Sequence, residues 1–182
     1  TENENKQPEE KPVQKQEKQE KPAPKKQESK TEKKPTVTVT NSSGKKLSTK
    51  YYSVSYSSGR KNVGEYTVTI KFKNGHSGTY KETFVIVPKE TSISKLSAAK
   101  KSFKITVKKQ STQTTGYQIQ YSTSKKFSSS KMQTISSYKT TSYTIKSLKA
   151  KKTYYVRVRT YKTVGNKTYY SDWSDYKSVK TK

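Results

Sequence analysis

The chain has 182 residues with 40 basic and 13 acidic side chains, a formal net charge of +27, and only 26% apolar residues. It has no cysteine, which excludes a disulfide framework, a thiol nucleophile and a cysteine-ligated zinc site. No apolar run approaches the length of a membrane span, and there is no signal-peptide h-region. Because the first residue is Thr1 and not Met, the expectation is a fragment or mature form of something longer.

Residues 1–35 are rich in Lys, Glu, Gln and Pro and carry no aromatic residue. Such a segment buries too little surface to offset its chain entropy, so a disordered linker is expected there. Its prolines, and the lack of an apolar stripe, argue against a helix in the Gln/Glu/Lys run at 14–20. The linker holds 10 Lys and 8 Glu, so it is nearly balanced. The rest of the chain holds 30 of the 40 basic residues and 5 of the 13 acidic ones, a net of +25. A field of that sign recruits polyanions and makes association salt-sensitive. Core-forming residues are confined to the 147 residues after Pro35, enough for one ordinary domain or two small ones.

From Thr36 the pattern is period-2 alternation bounded by turn residues, which indicates antiparallel sheets with one wet face. "TVTVT" (36–40) places Val37 and Val39 on one side, and "YYSVSY" (51–56) groups Tyr52, Val54 and Tyr56. "EYTVTIKFK" (65–73) groups Tyr66, Val68, Ile70 and Phe72, and "YKETFVIVP" (80–88) follows. The gaps are "NSSG", "SSGRKNVG" and "NGHSG". After Pro88 and a short polar run the pattern restarts. "KSFKITVKK" carries Phe103, Ile105 and Val107, and "GYQIQYSTS" carries Tyr117, Ile119 and Tyr121. "SYTIKSL" carries Tyr143, Ile145 and Leu148, and "TYYVRVRTY" carries Tyr154, Val156 and Val158. No helical periodicity of useful length occurs. The expected fold class is all-β: two tandem antiparallel β-sandwich domains, at 36–90 and 91–182, after the linker at 1–35.

Leu148, then Tyr154 six residues on, then Val156 and Val158, together with "GYQIQY", resemble the pattern of a fibronectin type III domain over residues 91–182. The resemblance implies that Tyr154 is a corner tyrosine, with its ring inside and its hydroxyl bonded to backbone near the turn. Two positions depart from the pattern: Ala150 and Lys151 stand where Pro-Gly is usual, and Val107 stands where an aromatic is common. "YSVSY", "NVGEYTVTI", "GTY" and "FVIVP" in residues 52–88 resemble bacterial immunoglobulin-like repeats of Gram-positive surface proteins. "YSDWS" (170–174) is related to the Trp-Ser motif of cytokine-receptor domains of this type. That likeness implies a stack of Trp173 with Arg157 and Arg159, which alternate outward from the two valines; Trp173 as a sugar-stacking residue, or in the core, are the other readings.

Five carboxylates remain for catalysis in the folded part: Glu65, Glu82, Glu90, Asp172 and Asp175. A glycosidase needs two in one cleft; Asp172 and Asp175 are close in sequence but flank Trp173 on what should be an exposed edge, so surface charges are expected. His76 is the lone histidine, sits in a turn, and has no nucleophile motif around it. No catalytic residue, metal site or cofactor is therefore expected. The lysine pairs are a different matter. Lys100, Lys101, Lys108, Lys109, Lys125, Lys126, Lys151 and Lys152 are candidates for polyanion contact. Arginine, the better reader of bases, occurs only at Arg60, Arg157 and Arg159, which disfavours nucleic acid.

The expected function is a non-catalytic, monomeric spacer or binding module, secreted or at a Gram-positive cell surface. Its expected partner is an anionic cell-wall polymer or a glycan. A protein ligand, as for an adhesin, or a role as accessory region of a larger wall-active or glycan-degrading enzyme are the alternatives.

Overall fold

The computed structural model describes residues 33–182. Apart from Lys33, Lys34 and Pro35, the expected disordered linker lies outside the described residues. Among the described residues all strand pairs are antiparallel, as the alternation implies, and the one helical element is a 3-10 turn at Thr49–Tyr51.

The first region is a three-stranded meander in the order β1 (Tyr52–Tyr56), β2 (Gly64–Phe72), β3 (Thr79–Ile86). Its register pairs Val54 with Ile70 and Tyr66 with Phe84, so the apolar positions share one face. Arg60 is buried and ties the chain's entry to this sheet: its Nε donates to the Lys33 carbonyl at 3.1 Å, and its Nη1 donates to the Ser57 carbonyl. The Tyr56 hydroxyl donates to the Pro35 carbonyl at 2.9 Å. The strand expected at 36–40 is reduced to one bridge, Thr40 with Lys46. Asn41 explains this. Its Oδ1 accepts from the N–H groups of Ser43 and Lys45, at 3.1 and 2.9 Å, and folds the chain back at once.

The second region is a two-layer sandwich. One sheet has the order β4 (Ile93–Ala99), β5 (Ser102–Val107), β8 (Ser142–Ile145). The other has β10 (Lys167–Tyr170), β9 (Thr153–Val164), β6 (Gly116–Ser122), β7 (Lys131–Ile135), with β11 (Lys177–Lys180) paired to β9. Phe103, Ile105, Tyr117, Ile119, Val156 and Val158, from both sheets, are completely buried between them. Gly116 is required where β6 meets β7. A Cβ there would lie 2.0 Å from the Ile135 carbonyl oxygen, which no side chain tolerates without a backbone shift.

Strands β4, β7, β10 and β11 are additions to the sequence reading. β7 and β11 each bury a single residue, Ile135 and Val179, so alternation is hard to see. β4 carries small Ser and Ala residues and a register shift between Ile93 and Lys95. Residues 162–170 form the β9–β10 hairpin, closed by a two-residue turn in which Gly165 has a φ of 55°.

Candidate polyanion-contact surface

The site is assembled at the end of the sandwich where β9 begins. Two turns and the C-terminal segment converge there, and backbone hydrogen bonds lock them together. The β4–β5 turn is tied to the C-terminal strand by Lys101 N–H to the Lys182 carbonyl, 3.0 Å, and Lys182 N–H to the Ala99 carbonyl, 2.9 Å. The β8–β9 loop joins through Leu148 N–H to the Lys101 carbonyl, 2.9 Å. Thr181 is buried, and its hydroxyl donates to the Lys149 carbonyl at 2.6 Å while accepting from the Lys152 N–H at 3.1 Å.

Tyr154 anchors this end from within. Its ring packs near Phe103 and Tyr121, with centroids 6.2 and 6.3 Å away. Its hydroxyl accepts from the Lys149 N–H at 3.1 Å, so a buried aromatic holds an exposed turn in place. Leu148 closes the core beneath that turn, and Val156 and Val158 continue it along β9. Lys151 has a φ of 55°, so the backbone keeps a conformation suited to glycine although the residue is a lysine.

Around that frame the lysines are exposed. Lys100 and Lys101 lie on the β4–β5 turn, and Lys146, Lys149, Lys151 and Lys152 on the β8–β9 loop. Lys180 ends the last strand and Lys182 lies two residues beyond it. Lys125 and Lys126, on the β6–β7 loop, belong to the same end, because β6 finishes with Ser122 opposite Tyr155. Lys125 Nζ stands 5.9 Å from the Tyr155 ring centroid. Lys108 and Lys109 do not join them. They leave β5 at the opposite end, where Lys108 N–H bonds the Ser92 carbonyl and Lys109 Nζ stands 6.0 Å from the Tyr138 ring. Searching for adjacent lysine pairs missed Lys146, Lys149, Lys180 and Lys182, which only the turn connectivity brings into the group.

The outer face of the β9 sheet carries a second construction. Arg157 lies between Phe127 and Trp173, its guanidinium carbon 4.2 and 4.9 Å from their ring centroids. Arg159 lies between Tyr170 and Trp173, at 3.9 and 4.3 Å. Gln120 Oε1 accepts from Arg157 Nε at 2.7 Å, and Gln118 Oε1 accepts from Arg159 Nε and Nη2 at 2.9 and 2.7 Å. Removal from water lowers the pKa of both guanidinium groups, most simply because the charged form loses hydration. Each such contact contributes about 0.5–1 kcal/mol at exposed sites. Phe127, Tyr170, Gln118 and Gln120 were not singled out in the sequence. The signal was there: "YQIQY" and "VRVRT" are neighbouring strands whose alternate polar residues pair, Gln118 with Arg159 and Gln120 with Arg157.

The carboxylates stay apart from the basic end. Asp172 and Asp175 flank Trp173 beside the middle of β9, and Glu90 precedes β4 at the far end. Glu65 and Glu82 lie on the first sheet, where Glu82 accepts from the Tyr80 hydroxyl at 2.7 Å. His76 packs its ring 4.7 Å from that of Tyr51. Among the described residues no three His, Cys, Asp or Glu side chains gather as metal ligands, and no helix is long and apolar enough to cross a membrane.

With this geometry in place, comparison with known proteins assigns the second region. Residues 88–175 match the fibronectin type III domain family, and this part of the chain is a fibronectin type III domain. Among solved structures, the crystal structure of the chicken CNTN1 FN1–FN3 domains is similar at a TM-score of 0.46 and 18% identity. The likeness covers 66% of this chain and 43% of that one, so this chain spans less than half of its length. No curated protein matches.

Proposed function

We propose that the chain is a non-catalytic surface module that spaces or attaches a larger protein, with basic faces that hold anionic cell-wall polymers or glycans. In this reading an immunoglobulin-like repeat at 36–90 precedes a fibronectin type III domain at 91–182, and the protein is secreted or displayed on a Gram-positive surface. Fibronectin type III domains are typically binding or spacing modules and not catalysts, which supports the first half of the reading.

The observation that carries the second half is the imbalance of charge. After Pro35 there are 30 basic and 5 acidic residues, and one of the five, Glu65, is paired with Lys167 at 3.0 Å. Five acidic residues cannot balance thirty basic ones, so most of this charge is left to attract a polyanion. The test is sedimentation of the chain with purified Gram-positive walls, with and without teichoic acid, across a salt series. Binding that needs teichoic acid and collapses between about 50 and 200 mM salt is expected. Failure to bind at low salt would leave a plain spacer.

A further inference from the structure

We infer that the polyanion contact is not spread over the molecule but concentrated at one end of the fibronectin type III domain, and that its partner is a linear phosphodiester-linked polymer without bases. This rests on the reading above that the chain binds anionic polymers. The end is formed by the β4–β5 turn, the β8–β9 loop and the terminal strand, whose backbones are bonded to one another as described. Lys100, Lys101, Lys149, Lys151, Lys152 and Lys182 therefore project from one rigid base, all exposed. No carboxylate side chain among the described residues lies on these turns.

Backbone conformation adds an observation at this end, where two of the seven described non-glycine residues with positive φ are exposed lysines; the others are Asn74, Gln113, Phe127, Ser129 and Ser147. Lys101 and Lys151 have φ of 46° and 55°, a region where glycine is free of strain and a side chain is not. Two turns that would fold more easily with glycine both carry lysine, in adjoining positions. Strain kept at a surface turn, with no packing gain from an exposed side chain, points to a use for the side chain.

The composition of the end narrows the partner. Every cation on these turns is lysine, a hydrated point charge on a flexible stem, and none is arginine, whose fork suits fixed planar groups. Segments 99–101, 146–152 and 180–182 carry no aromatic residue, and the rings nearest this end, Tyr155 and Tyr176 beside Lys125, lie on the flanking side of the sandwich and not on these turns. A mobile chain of evenly spaced phosphates fits such a surface, because charge alone must do the holding.

The experiment measures binding of the full chain to fluorescent poly(glycerol phosphate) across a salt series, with single-stranded DNA of equal charge as competitor. The first variant combines Lys100→Gln, Lys101→Gly, Lys151→Gly and Lys152→Gln. Its control removes four exposed lysines from the other end, Lys89→Gln, Lys108→Gln, Lys109→Gln and Lys139→Gln. The first variant should weaken binding about 100-fold and flatten the slope of log K against log salt by roughly 3, while the control changes affinity less than about 3-fold. The double variant Lys101→Gly/Lys151→Gly alone should weaken binding about 10-fold without lowering the melting midpoint, because glycine relieves both turns. A loss of folding cannot mimic that combination. Equal weakening by the two four-lysine sets would overturn the localised site and leave diffuse polyanion binding standing. Preference for DNA at equal charge would overturn the polymer class. No binding by the unaltered chain would overturn both this inference and the reading beneath it.

Discussion

The sheet of residues 52–86 and the sandwich of residues 93–180 are built from the same alternation of Tyr, Val, Ile and Thr, but they bury it differently. In the sandwich, six apolar side chains from two facing sheets are fully removed from water. In the first sheet, Tyr52, Val68 and Ile70 are buried while Val54, Tyr56 and Phe84 are only half-buried, and β3 has no fully buried residue. Alternation tells which face of a strand is apolar. It does not tell whether a second layer will cover that face. A second sheet removes apolar surface from water at about 25 cal/mol per Å², and most of the difference in local stability between the two regions should follow from that.

The largest test is to remove one phenylalanine from each region. Phe103 is fully buried, with its ring against Tyr121 and Tyr154 at 6.0 and 6.2 Å. Phe103→Ala should cost about 3–5 kcal/mol, as for other core aromatics. Phe84 is half-buried beside Tyr56 and Tyr66, at 6.3 and 5.9 Å. Phe84→Ala should cost about 1 kcal/mol. Urea melts of both variants, followed by tyrosine fluorescence, give the difference directly. Equal losses would mean that the first sheet is covered as fully as the sandwich.

A smaller effect separates two tyrosine hydroxyls. That of Tyr154 accepts from a part-buried backbone N–H at Lys149, so Tyr154→Phe strands a donor and should cost about 1–2 kcal/mol. That of Tyr66 donates to the carbonyls of Gly59 and Asn62, at 2.8 and 3.1 Å, at an exposed site. Water replaces it there, so Tyr66→Phe should cost about 0.5 kcal/mol. Amide exchange at Lys149 should accelerate in the Tyr154 variant and stay unchanged in the other. If Lys149 keeps its protection, the hydroxyl is not what holds that turn.

The corner tyrosine was legible because its spacing from Leu148 is a local signature, and local signatures survive in a single sequence. Strands β5, β6 and β9 were legible for a related reason: each buries two or more large residues at period 2, and β8 sets half-buried Tyr143 two residues before buried Ile145. Strands β7 and β11 were not, since pairing with a neighbour, and not their own residues, makes them strands. The basic end was half legible. Lys100, Lys101, Lys151 and Lys152 stood out as pairs, but so did Lys108 and Lys109, and sequence alone could not sort them by end. That sorting depends on which turns the chain order brings together. The strain at Lys101 and Lys151 was equally hidden, because nothing in the letters shows a positive φ.

The smallest effect lies between the two regions, and it sharpens the comparison because it asks what joins them. Gln113, at the end of the sandwich opposite the basic turns, donates through Nε2 to Asn62 Oδ1 at 2.7 Å and accepts the Val63 N–H at 3.3 Å. Beside it Lys167 Nζ donates to Glu65 across exposed surface at 3.0 Å. The hydrogen bond and charge of Glu65 raise the pKa of Lys167 above its ordinary 10.5. Because the folded chain holds that proton more tightly, the contribution is complete below the unfolded lysine's pKa and fades as pH rises through the higher folded value. Glu65→Gln should therefore leave the melting midpoint nearly unchanged at neutral pH and moderate salt, where exposed pairs are screened. Its signature is a difference from the unaltered chain that is greatest in low salt and vanishes in strong alkali. A variant whose two regions melt apart at neutral pH would show that the ion pair, and not the Gln113 hydrogen bonds, couples the sheet to the sandwich.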